Sequence, residues 1–171
     1  MDDIPLEEQA TNAATYEHIE VVRNLINRAV VELLRRAEMH DQSKLGDIER
    51  PAFTRITPLL RASTYGSEEY KGFLVDLGPA LTHHYECNRH HPEHFKNGIE
   101  GMNLIDVLEM LLDWKAATLR HDDADIMKSI EINRERFGLS DQLVAILRNT
   151  VRDLRLLKSD DVSTHAETYD R

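Results

Sequence analysis

Five of the nine histidines, His83, His84, His90, His91 and His94, fall in one short stretch of the 171-residue chain. A neutral imidazole offers a lone pair near physiological pH and is the commonest metal-ligating side chain. Histidines gathered this closely therefore point to a bound metal. Two further groups answer to them. The dipeptide His40-Asp41 lies far upstream, and Asp113 lies downstream between Leu112 and Trp114. A carboxylate in such an apolar run is expected to be buried, and a buried carboxylate needs a partner or an ion.

Helices must position these groups. Ile19, Val22, Leu25, Ile26, Ala29, Val30, Leu33, Leu34 and Ala37 recur at three- and four-residue steps, which predicts a long helix with that face inward. Thr15 is its expected N-cap, and His18 shares the inward face. Read alone, His18 is a half-buried helix-start residue, and His40-Asp41 a helix end followed by a turn. Gly46 and Pro51 end or bend what precedes them. A short helix over 52–62 is expected to break at Pro58. Ser67 caps the next helix, with Gly78-Pro79 as a kink before the histidines. His84 then points inward, His83 sideways, and Pro92 stops the helix. His91 returns to the side of His84 if the helix reaches that far. Asp106, Glu109 and Asp113 share one stripe of a strongly apolar helix. A solvated face would account for the first two. Two more helices follow, one from about Asp122 to Phe137 and one capped by Ser140.

Composition narrows the classes of function. The chain is 41% hydrophobic, with 6% aromatic residues and seven glycines, which favours an all-α domain. We read one domain over 1–171: a loose arm over 1–12, a helical core over 13–157 and a polar tail over 158–171. The net charge is −10, which argues against non-specific nucleic-acid binding or a membrane surface. A small phosphorylated ligand remains compatible, because a bound cation supplies local positive charge. The single cysteine, Cys87, suits a reducing cytosol. It reads as a small buried residue, with a soft metal ligand as the alternative. No signal-peptide pattern and no bilayer-long apolar run are present. A cytoplasmic protein, free or homo-oligomeric, is expected.

The order His18, His40-Asp41, a histidine-rich segment and then Asp113 resembles the HD-domain superfamily of metal-dependent phosphohydrolases. His40-Asp41-Gln42-Ser43-Lys44 is similar to that family's His-Asp-x-x-Lys helix end. His90-His91-Pro92-Glu93, with Gly98 and Gly101 behind it, resembles the segment of members that bind two metals. The phrases Tyr65-Gly66-Ser67 and Asp113-Trp114-Lys115-Ala116-Ala117 also resemble a small HD-like family of phages and bacteria.

The resemblance implies a helical bundle with a central metal site in a bacterial or phage-infected cell. His18, His40, Asp41 and Asp113 would hold one ion, with His84, His90 and His91 binding a second or orienting water. Mn²⁺, Fe²⁺, Co²⁺, Ni²⁺ or Zn²⁺ suit mixed imidazole and carboxylate donors, and Mg²⁺ is a further candidate. It also implies hydrolysis of a nucleotide, a deoxynucleoside tri- or monophosphate, through a metal-activated water. Asp41, Lys44 and Glu93, with His94, are the catalytic candidates. Lys44, Arg89, Lys96 and Lys115 are candidates for phosphate, and Tyr65, Tyr70, Tyr85 and Phe95 for stacking on a base. One condition attaches to His18. A straight helix would hold it roughly 35 Å from Asp41 at 1.5 Å per residue, so sharing an ion needs a break near Asn24 to Arg28. Two other readings fit the same residues: a helical protein-interaction module with a structural metal, and an oxygenase on a histidine and carboxylate scaffold.

Overall fold

Helix-forming alanines and the early acids Glu7 and Glu8 suit a helix start, and in the computed structural model the chain is helical from Leu6. The structure describes residues 5–64, 66–119 and 125–157. The start of the expected arm (1–4), Tyr65, the helix start near Asp122 and the tail over 158–171 lie outside them. Seven α-helices and no strand are found among the described residues, so the protein is all-α as expected.

The chain divides into two units, residues 1–40 and 41–171. The first is one helix, α1 (Leu6–Met39). Thr15 does not cap it. Its hydroxyl donates to the Thr11 carbonyl at 2.9 Å, inside the running helix. Nor is the expected inward face buried, for α1 buries no residue. Val21 and Val31 lie beside the stripe of Ile19, Val22, Leu25 and Ile26, and all of them are exposed.

In the second unit, a 3-10 turn (Gln42–Leu45) leads to α2 (Arg50–Ala62). Pro51 opens α2 rather than ending what precedes it, since a first-turn proline lacks only a hydrogen that has no partner there. Pro58 sits inside α2 without interrupting it. Ser67 caps α3 (Glu68–Asp76) by accepting from the Tyr70 amide. Gly78, at φ 50°, then separates α3 from α4 (Pro79–Cys87), so the expected kink is a full break. Two 3-10 turns (Pro92–His94 and Gly98–Gly101) lead to α5 (Leu104–Thr118), followed by α6 (Ile126–Phe137) and α7 (Asp141–Asp153). Asn103 and Asp106 form a capping box on α5, and Ser140 caps α7.

The core lies among the last three helices. Met110, Leu111 and Trp114 of α5 meet Ile126 and Ile130 of α6 and Val144, Leu147 and Val151 of α7. Each such side chain contributes roughly 1.5–3 kcal/mol on burial. Trp114 stacks on Phe137 with the ring planes 3° apart. Ile146 of α7 and Leu154 just after it are about half exposed. No helix among the described residues is long and apolar enough to cross a membrane.

Candidate metal centre

The centre is built where the 3-10 turn after residue 40, the end of α4 with the turn that follows it, and the middle of α5 come together. Asp41 has left-handed backbone angles, φ 59° and ψ 10°. Such a conformation costs a non-glycine residue roughly 1–3 kcal/mol, and aspartate is among the residues that tolerate it best. Its carboxylate accepts from Lys44 Nζ at 2.5 Å. His84, on the inner side of α4, is 2% exposed, and its Nε2 lies 3.3 Å from Asp41 Oδ1. His90 is equally buried, and its Nε2 lies 3.5 Å from the same oxygen. The helix ends at Cys87, yet His91 returns to His84 through the turn that follows. The two Nε2 atoms are 2.9 Å apart.

Behind two of these rings stand carboxylates that the sequence reading missed or misplaced. Glu49, 0% exposed, approaches His84 Nδ1 with Oε2 at 2.9 Å and His83 Nδ1 with Oε1 at 2.7 Å. Burial alone would raise its pKa, but hydrogen bonds from His83, Ser43 and His84 hold it below the usual glutamate value. An ionised carboxylate only accepts, so Nδ1 of His84 carries the hydrogen and Nε2 is left with a lone pair. Glu109, read as a solvated residue, faces His90 Nδ1 at 3.2 Å. A carboxylate on the far nitrogen is the usual support of a metal-ligating histidine, fixing its tautomer and direction. Burial first, and then the Lys44 charge, lowers the pKa of His84. Burial, with the charges of His90 and His84, lowers His91 to about 2. Both rings are therefore neutral and able to ligate at neutral pH.

The donor set fits a divalent ion. Ligands at right angles around an ion, each at roughly 2.1 Å, lie about 3.0 Å apart. One donor atom each from Asp41, His84, His90 and His91 already lies within 4.8 Å of the others. Asp113 is half-buried and has a carboxylate oxygen within 4.8 Å of a His90 ring nitrogen.

Beside the centre is a cavity of about 800 Å³ whose lining includes Asp41, His84, His91 and Asp113. Lys44, Arg50, Arg61 and Arg136 bring four cations to it, and Phe53, Tyr70 and Tyr85 bring aromatic rings. Lys44 Nζ also lies 5.1 Å from the Phe53 ring centre.

Helix α1 is unbroken from Leu6 to Met39, so it has no break near Asn24 to Arg28, and His18 lies about 32 Å from the helix end at 1.5 Å per residue. His40 is the last residue of the first unit, covalently joined to Asp41. Arg89 is held by Asp106 through bonds of 3.1 and 2.9 Å and lies over the Phe95 ring. Asp106, expected on a solvated face, is fully buried for that reason. Lys96 is exposed and Lys115 half-buried, and neither is among the cavity-lining residues. Glu93 is exposed and accepts from Arg136 Nη2 at 2.6 Å. His94 faces the Tyr85 carbonyl at 3.0 Å. Cys87 is exposed rather than buried, and partial desolvation of its sulfur, with the charges of Glu49 and Glu86, raises the thiol pKa.

A family model described as a family of unknown function (DUF5662) matches residues 7–153. No curated protein and no solved structure matches the chain. The protein belongs to the DUF5662 family.

Proposed function

We propose that this member of a family of unknown function is an HD-type metal-dependent phosphohydrolase acting on a nucleotide, a deoxynucleoside tri- or monophosphate. The observation that carries the reading is the convergence of Nε2 from His84, His90 and His91 near Asp41, beside a cavity lined with cations. The HD-type attribution rests on His40-Asp41-Gln42-Ser43-Lys44 and on Asp113. A divalent transition ion at such a centre acidifies a water and neutralises charge on a phosphoryl oxygen.

The protein's own residues do the rest. Asp41, His84, His90 and His91 would hold the ion. Glu49 and Glu109 are positioning residues that hold the His84 and His90 rings with Nε2 turned inward. Lys44 turns from Asp41 to a phosphate oxygen. Arg50, Arg61 and Arg136 receive further phosphates, because a planar guanidinium matches two phosphate oxygens at once. Glu93 holds Arg136 at the cavity wall, and its carboxylate raises the guanidinium pKa although burial alone would lower it. Tyr70 and Tyr85 offer ring faces for a base.

The test compares wild type with Asp41→Asn, which keeps a residue tolerant of the left-handed backbone. Metal content and phosphate release from deoxynucleoside phosphates with Mn²⁺, Co²⁺ and Mg²⁺ are measured side by side. About one or two bound ions in wild type, with loss of binding and at least about a hundredfold loss of rate in the variant, is the expected result. A metal-loaded wild type that releases phosphate from none of these substrates overturns the reading.

A further inference from the structure

We infer that Glu49, His83 and Cys87 form a second, outer metal site that takes a thiophilic divalent ion such as Zn²⁺. His83 and Cys87 are four residues apart on α4, which puts both on one helix face. Cys87 Sγ lies 3.8 Å from Nδ1 and 3.7 Å from Nε2 of His83. A tetrahedral zinc with sulfur at about 2.3 Å and nitrogen at about 2.0–2.1 Å separates those donors by about 3.6 Å, so the pair is already spaced to bind. The third donor, Glu49 Oε1, is 2.7 Å from His83 Nδ1. It would retreat by about 0.6 Å to reach the spacing of two zinc ligands. One donor atom from each of the three lies within 4.8 Å of the others.

Both flexible donors face solvent. Cys87 is exposed and the His83 side chain is 31% exposed, so an ion enters without opening the fold. Three protein ligands leave a fourth position for water. The sulfur separates this site chemically from the inner cluster. Asp41, His84, His90 and His91 offer only nitrogen and oxygen, whereas a thiolate selects for zinc over Mg²⁺ or Mn²⁺. The two sites share only Glu49, which turns Oε1 outward to His83 and Oε2 inward to His84.

The test is a titration of the reduced full-length protein with Co²⁺, a spectroscopic stand-in for zinc, under nitrogen. A cobalt–thiolate bond gives a near-ultraviolet charge-transfer band. Wild type and Asp41→Asn are expected to develop the band, and added Zn²⁺ to abolish it. Cys87→Ser, a change at an exposed position, is expected to lose it while circular dichroism shows the fold intact. His83→Ala is expected to weaken cobalt binding at least about tenfold. The absence of a thiolate band in folded wild type overturns the proposal. So does equal ion binding by wild type and Cys87→Ser. A band that vanishes with Asp41→Asn would assign the sulfur to the inner ion and equally overturn an outer site. Because the Asp41 variant removes inner ligation and the Cys87 variant does not, failure here is distinct from failure of the hydrolase reading.

Discussion

At the scale of single residues, the centre depends on which ring nitrogen carries hydrogen. Glu49 settles that for His84, so Glu49→Gln should do more harm than its distance from Asp41 suggests. A neutral amide can present either a donor or an acceptor to Nδ1 and no longer enforces the tautomer. Metal affinity, measured by competition with a chelator, is expected to fall about 10- to 100-fold while the helical signal is kept. The lowered histidines also set a pH dependence of stability. Folded His91 titrates at about 2 and His84 is lowered as well, whereas in the unfolded chain both titrate near roughly 6.5. Below that value the unfolded chain takes up protons that the folded one refuses. Stability therefore falls as pH drops below about 6.5, and continues to fall toward the folded value of His91. Thermal melts of metal-free protein are expected to show this slope, and His91→Asn to flatten it.

At the scale of elements, one close approach ties several parts together. A Cβ on Gly101 would lie 2.6 Å from Phe95 Cβ. Phe95 carries the Arg89 guanidinium on its face, and Arg89 holds Asp106, which closes the capping box of α5. Gly101→Ala is expected to cost about 1–3 kcal/mol through overpacking, seen as a lowered urea midpoint. The helices themselves were largely legible. Ser67 and Ser140 cap where their position before an apolar period indicated, and His84 points inward as its spacing required. Pro58 was misread because a proline removes one hydrogen bond, and the packing of the rest of α2 decides whether the helix continues. On α1 the three- and four-residue steps are real, and Ile19, Val22, Leu25 and Ile26 on them are exposed. Asp106 was misread because its partner, Arg89, is 17 residues away. Glu49 was illegible for the same reason, lying in no periodic stretch with its imidazoles 34 and 35 residues on. Local patterns report helix faces, and they do not report which distant side chain will meet them.

At the scale of the whole molecule, a chain of net charge −10 carries a cavity lined with four cations. A small phosphate compound meets the local field of Lys44, Arg50, Arg61 and Arg136, while a long polyanion also meets the net negative charge of the whole chain. Nucleotide binding is expected to weaken as salt is raised, because surface charges are screened within about 8–10 Å at physiological ionic strength. Duplex DNA is expected to compete poorly with the nucleotide in the same buffer, as measured by fluorescence anisotropy. Strong competition by DNA would mean that the cationic lining extends outward as a binding surface. The shared carboxylate of Glu49 has a further consequence at this scale. With one oxygen on His83 and the other on His84, it makes the outer and inner histidines parts of one equilibrium. Any ligand at His83 that draws the carboxylate away changes affinity at His84 by some factor, and occupancy at His84 must change affinity at His83 by that same factor.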